Sequence, residues 1–192
     1  MINLLSCLLL GSSLVDVTVH LHTERGIVSG TVIGSDTILT CAHGWTEDGG
    51  SALVEWFDKF GRITHTAQGQ VIKRHVPSDL ALVRIPEGNH TTVKVTEDCA
   101  SILQDVSAWF VGADHGKPPS IKGTKTLHRS KVFSEILGDT ITVDSSPRQG
   151  NSGGGLFDEK GELIGVCSAA DYEGYFASAR AIHKFLGTPC HT

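Results

Sequence analysis

The sequence predicts an all-β chain, a sandwich or barrel assembly with one short helix near its end. Val15, Val17, Val19 and Leu21 alternate with Asp16, Thr18, His20 and His22, the period of two that marks a half-buried strand. Short β-rich runs recur along most of the 192 residues, and Gly, Pro, Asn or Asp stands in most of the gaps. Only residues 178–186 space their apolar side chains, Ile182, Phe185 and Leu186, for one helix face. With 40% apolar residues the chain can bury one good core, or two small ones that share an interface.

In chain order, residues 1–13 hold an apolar run from Leu4 to Leu10 with no basic residue ahead of it, so they read as a truncated signal or a packed segment. The alternating strand starts at Leu14. Further strands are expected at Gly30 to Ile33, Thr37 to Ala42, Ala52 to Phe57, Thr66 to Lys73 and Leu80 to Ile85. The polar interval from Glu87 to Asp98 suits a crossing between two halves. Beyond it come Val106 to Val111, Thr126 to Phe133, Thr140 to Val143, Gly155 to Phe157, Leu163 to Ser168 and Tyr175 to Ala177, then the helix. One domain over 14–192 is expected, with halves at about 14–86 and 99–177 and no internal repeat in the sequence.

Composition excludes several function classes. The net charge is −5 and no Lys/Arg block is long enough to follow a nucleic-acid backbone, so no nucleic-acid partner is expected. No run reaches the length of a membrane span. Cys7, Cys41, Cys99, Cys167 and Cys190 are odd in number and scattered without a CxxC pair, so neither a zinc site nor a dense disulfide framework follows from them. Cys41 and Cys167 sit in apolar runs and read as buried small hydrophobes. His20 and His22 share a strand face, but no third metal ligand accompanies them. No metal and no cofactor is expected.

The stretch SSPRQGNSGGGLFDEKGELIGV, residues 145–166, is the informative one. A glycine-rich loop there can cradle a phosphate, make a tight turn or present a nucleophilic serine. Two apolar runs flank the turn Asp158 to Gly161, so a hairpin and not a helix follows Ser152, which removes both the phosphate loop and the α/β-hydrolase elbow. A serine nucleophile needs a base and the base an orienting acid. TILTCAHGW ends an apolar strand on His43, and HVPSDLALVRI places Asp79 before another.

TCAH at 40–43, DLAL at 79–82 and GNSGG at 150–154 occur in that order, and the chain here resembles the trypsin-like serine protease family, in its compact bacterial HtrA-like branch. The resemblance runs from about residue 14 and is most specific over 140–166. It implies two Greek-key β-barrels with a short C-terminal helix, a serine endopeptidase activity, and a polypeptide as substrate. It implies Ser152 as nucleophile, His43 as base and Asp79 as its orienting acid, with the backbone N–H groups of Gly150 and Ser152 as the oxyanion hole. Ser146 would lie at the base of the substrate pocket and Cys167, Ser168, Ala169, Ala170 and Gly174 along its walls. Small neutral walls favour small or medium apolar side chains at the cleavage site. Asp171 and Glu173 lie close in sequence and read as solvated loop acids.

The chain departs from the family pattern at several points. Asn151 replaces an aspartate that pairs with a newly cleaved amine in digestive relatives, and ERGIVSG at 24–30 stands too near His43 to be an activation site, so no N-terminal processing is expected. Gly155 replaces a proline, and Gly44 leaves no disulfide beside the base. The peptide-binding PDZ module of HtrA proteins is not expected within these residues. A non-proteolytic binding relative and an esterase-like hydrolase are the alternatives. A secreted or periplasmic location is favoured over a cytoplasmic one, and the oligomeric state is left open.

Overall fold

The computed structural model describes residues 14–99, 106–127, 139–170 and 172–191. It opens on a helical turn at residues 14–16 where the alternation predicts a strand. Leu14 and Val17, one helical turn apart, both enter the apolar layer between the two halves, and Thr18 Oγ1 donates to the Leu14 carbonyl at 2.9 Å. Burial of that pair, at about 1.5–3 kcal/mol per side chain, outweighs the weak local strand preference.

The first half comprises β1 (Thr18–Thr23), β2 (Gly26–Gly34), β3 (Thr37–Thr40), β4 (Ser51–Phe57), β5 (Ile63–His75) and β6 (Leu80–Arg84). They form a closed antiparallel barrel in the order β1-β2-β3-β6-β5-β4, which leaves no sheet edge free. Val19, Leu21, Val32, Ile38, Val54 and Val83 fill its interior. His20 is buried as well, its ring 4.4 Å from that of Phe57, while His22 Nε2 meets Glu55 Oε2 at 2.8 Å. Among the described residues the two histidines share no third metal-ligating side chain.

The second half contains β7 (Ser107–Gly112), β8 (Ser120–Lys125), β9 (Thr140–Val143), β10 (Gly155–Phe157), β11 (Leu163–Ala170) and β12 (Gly174–Ser178). Its six strands lie in the order β8-β7-β10-β11-β12-β9, and the sheet curls until its edges meet at the bridge Thr126↔Val143. Numbered one to six within each half, both barrels then run 1-2-3-6-5-4 around their axis. β8 is absent from the sequence reading because SIKGTK is polar and buries only Thr124 deeply. The expected run Thr126 to Phe133 lies outside the described residues from 128 onward.

The helix, α1 (Ala179–Leu186), is capped by Ser178 Oγ, which accepts from the Ala181 N–H at 3.4 Å, and it ends at Gly187 in the left-handed region. Ile182 and Phe185 press into a third cluster with Leu39 and Leu80 of the first barrel and Phe157, Leu163 and Val166 of the second. The polar crossing stitches both halves together. Val93 N–H donates to Val32 O at 3.0 Å, Leu163 N–H to Lys94 O at 2.9 Å and Thr96 N–H to Leu163 O at 3.0 Å. Cys99, at its end, forms a disulfide with Cys190, 91 residues further on, a pairing that scattered spacing does not reveal.

Candidate active site

β3 drives Leu39 into the interface between barrels, and the chain leaves it through Cys41 into a 3-10 turn, Ala42–Gly44, that carries His43 to the surface. Leu80, anchored in the same interface, fixes the residue before it. Asp79 closes the turn Val76–Ser78 at φ 51° and ψ 44°, a left-handed conformation that an aspartate tolerates better than most residues.

The Asp79 carboxylate is buried and fully engaged. Oδ1 accepts the backbone N–H groups of Ala42 at 3.0 Å and His43 at 2.9 Å, and Oδ2 accepts His43 Nδ1–H at 2.7 Å and Ser168 Oγ–H at 2.5 Å. A carboxylate can only accept, so the proton facing it sits on Nδ1 and the neutral imidazole keeps its lone pair on Nε2. The hydrogen bond that His43 donates to Asp79 raises the His43 pKa to about 10, helped by a contact with Cys41 and opposed by burial. Cys41 Sγ lies 3.7 Å from Nε2 and is itself fully buried. Burial pushes the thiols of Cys41 and Cys167 up, which keeps both in the unreactive form.

Ser152 is placed by its backbone. Its carbonyl accepts the Ser29 N–H of β2 at 2.7 Å, and the Gly153 N–H donates to Cys167 O at 2.7 Å. A side chain at Gly153 would strike Ser29 O at 2.1 Å and Thr40 Oγ1 at 2.2 Å, so only glycine lets the loop lie against the strand that leads to His43. No hydrogen bond joins Ser152 Oγ to His43 among the described residues. Such bonds tighten when substrate enters.

The loop's own amides divide into two sets. Asn151 N–H donates to Arg148 O and Gly154 N–H to Asn151 O, while among the described residues the N–H groups of Gly150 and Ser152 have no acceptor. The Gln149 carbonyl accepts His115 N–H at 2.7 Å. Because the peptide is planar and trans, the Gly150 N–H points the opposite way, out of the loop's packed side. Gly150 stands at φ 91° with Ala113 O only 2.2 Å from where a Cβ would be, so no other residue fits. Ser29 holds this arrangement from the first barrel. Its buried hydroxyl donates to Gly150 O at 2.8 Å and accepts Ala113 N–H at 2.9 Å, a role the sequence reading missed because GIVSGTVI announces only a strand.

The expected pocket residues are placed unevenly. Cys167 turns its side chain into the second barrel's core, and Ser168 spends its hydroxyl on Asp79, so both reach a ligand only through their backbone. Ala169 is half-buried and Ala170 exposed at the end of β11. Gly174 packs against Ser145 O and Pro147, which sets residues 145–147 beside the β11–β12 hairpin. Ser146 lines a cavity of about 280 Å³ with Phe110, Gly112, Arg148 and Asn151. Asn151 is buried there with Oδ1 unbonded. Asp171 lies outside the described residues.

The family model described as a trypsin-like peptidase domain matches residues 28–166. Among curated proteins, "Putative protease Do-like 14" of Arabidopsis thaliana is 28% identical over 186 residues, covering 84% of this chain and 41% of that one. "Putative serine protease HhoA" of Synechocystis sp. is 32% identical over 152 residues, covering 73% of this chain and 36% of that one. The chain thus spans less than half the length of either relative. Among solved structures, Deg5 superposes with a TM-score of 0.79 at 18% identity over 96% of this chain and 93% of that one. The HtrA-type protease AlgW with tripeptide gives 0.78 at 18% identity over 96% and 62%.

Proposed function

The chain belongs to the trypsin-like peptidase family, and we propose that it hydrolyses peptide bonds with Ser152, His43 and Asp79 as a catalytic triad. The observation that carries the reading is the pairing of an oriented imidazole with two acceptor-free N–H groups, Gly150 and Ser152, in the loop that bears the serine. Ser152 Oγ attacks the scissile carbonyl carbon while its proton passes to His43 Nε2. The carbonyl oxygen takes up the negative charge facing the two N–H groups, each such donor being worth about 3 kcal/mol in barrier height. His43 then delivers the proton to the leaving nitrogen as the C–N bond breaks. Water repeats the attack on the acyl ester, giving its proton to His43, and the carboxylic acid leaves as Ser152 regains a proton.

The Asp79 carboxylate stabilises the imidazolium. Ser168 Oγ, from the second barrel, donates to the same carboxylate oxygen and helps to fix it. Small residues, Ala169 and Ala170, at the end of β11 support a preference for small or medium apolar side chains at the cleavage site.

The resting contact of His43 Nε2 with Cys41 in place of Ser152 favours one alternative, a relative that binds polypeptides without cutting them. A fluorophosphonate probe separates the two. The proposal expects stoichiometric labelling of the wild type, none of Ser152→Ala or His43→Ala, and cleavage of a peptide library. A folded wild type that neither labels nor cuts would leave the binding role. Labelling and ester cleavage with peptides untouched would identify an esterase.

A further inference from the structure

The crossing and the tail after α1 bring three metal-type donors together on residues that the peptidase reading does not use. Cys99 Sγ, Cys190 Sγ and a ring nitrogen of His183 all lie within 4.8 Å of one another. Cys99 is unexposed, His183 is 6% exposed and Cys190 is half-buried. In the structure the two sulfurs are joined as a disulfide. A disulfide needs no third partner, yet a buried imidazole stands against it.

Two features prepare that imidazole as a ligand. His183 Nε2 lies 2.8 Å from the Thr96 carbonyl, which can only accept, so the proton is on Nε2 and the lone pair on Nδ1. Metal-binding histidines are held in one tautomer by this kind of outer contact. Among the described residues Nδ1 meets only the Thr188 hydroxyl, at 2.7 Å, a donor that can rotate away. The backbone holds the cysteines in place independently of their bond. The tail pairs in parallel with the crossing at Asp98↔His191, where Cys99 N–H donates to His191 O at 3.1 Å and His191 N–H to Glu97 O at 2.9 Å.

We propose that Cys99, Cys190 and His183 are a convertible site, a disulfide when oxidised and, when reduced, a two-thiolate, one-imidazole site for a zinc-class divalent cation. A cellular dithiol supplies the reducing step. It gives two electrons and two protons to the S–S bond, frees two thiols and leaves as its own disulfide. The cation then displaces both thiol protons and binds two sulfurs and Nδ1, with water completing a tetrahedron. Bonds of about 2.0–2.3 Å imply donor separations of about 3.5–3.8 Å, so the two sulfurs part by nearly 2 Å from their bonded distance while the imidazole already stands within 4.8 Å of both. Half-buried Cys190 is where the reductant enters.

The test uses the full chain, reduced with dithiothreitol, freed of reductant under nitrogen and titrated with Co²⁺, then with Zn²⁺. The reduced wild type should bind one equivalent, with thiolate-to-cobalt charge-transfer bands and visible bands of tetrahedral strength, both abolished by Zn²⁺. The oxidised protein and Cys190→Ser should show neither. His183→Gln should weaken binding by more than about 100-fold, beyond the roughly 10- to 100-fold loss of an outer contact. Thr188→Val, which removes only the hydroxyl from Nδ1, should bind at least as tightly and covers the case in which His183→Gln does not fold. Absence of the bands in reduced, folded wild type, their persistence in Cys190→Ser, or a reduced chain that unfolds and is not restored by zinc would overturn the proposal.

Discussion

At the residue scale, the proposed chemistry turns on how His43 is held. In the proposed triad, an imidazole whose pKa is raised to about 10 is protonated through neutral pH and must lose that proton before it can accept one from Ser152. Catalysis should therefore rise on the alkaline side, with the acid limb of the kcat/KM profile well above the ordinary imidazole value of about 6.5. Asp79→Asn removes the main cause, so the limb should fall toward that value while kcat drops by roughly 10⁴. Cys41→Ala removes the secondary cause and should lower the limb by less, with the triad intact. The same linkage acts on stability. The His43–Asp79 pair stabilises the fold fully below the unfolded value near 6.5, and that contribution is lost as pH climbs toward 10.

Ser29 offers a second test at this scale. Its hydroxyl bridges Gly150 O and Ala113 N–H without facing the reacting atoms, so it is a positioning residue. Ser29→Ala should lower kcat about 10- to 100-fold with little change in KM, because displacing the proposed oxyanion donor costs transition-state binding alone. Steady-state kinetics with burst titration of active sites checks this, and an equal loss in titratable sites would indicate misfolding instead.

At the element scale, β1 carries a buried imidazole, and burial lowers the His20 pKa to about 4. Between about pH 6.5 and 4 the unfolded chain binds a proton there that the folded barrel refuses, so stability falls on acidification. His20→Phe should flatten that part of the curve of unfolding free energy against pH, read by urea titration at several pH values. Strand β1 also shows what the sequence conceals. Alternation located its core, but not the helical turn before it, because Leu14 and Val17 answer to the interface with α1 and not to their neighbours. β8 was illegible for the opposite reason. It is a polar strand whose place is set by backbone pairing with β7, and pairing leaves no mark in hydropathy.

At the scale of the whole molecule, the common 1-2-3-6-5-4 order of the two barrels has no counterpart in any repeat of the sequence, since a topology can be kept by burial pattern alone. The candidate triad was legible because each member ends or begins a strongly apolar segment. The supports around it, Ser29 and Ser168, were not, because a serine gains its meaning only from what another strand brings within reach. The Cys99–Cys190 link closes a loop of 91 residues, which in the chain-entropy picture stabilises by about 4–5 kcal/mol. Cys190→Ser, assayed with a chelator present, should lose about that much by urea unfolding while leaving the pH profile of catalysis where it was.

His43 and Asp79 stand on the first barrel, Ser152 and its two open N–H groups on the second, and one polar crossing joins them. Neither half holds the whole of the proposed triad, so the proposed reaction depends on proximity. Divided within residues 87–98, the molecule would become a reporter, and its turnover would count, by mass action, how often the two separated halves meet.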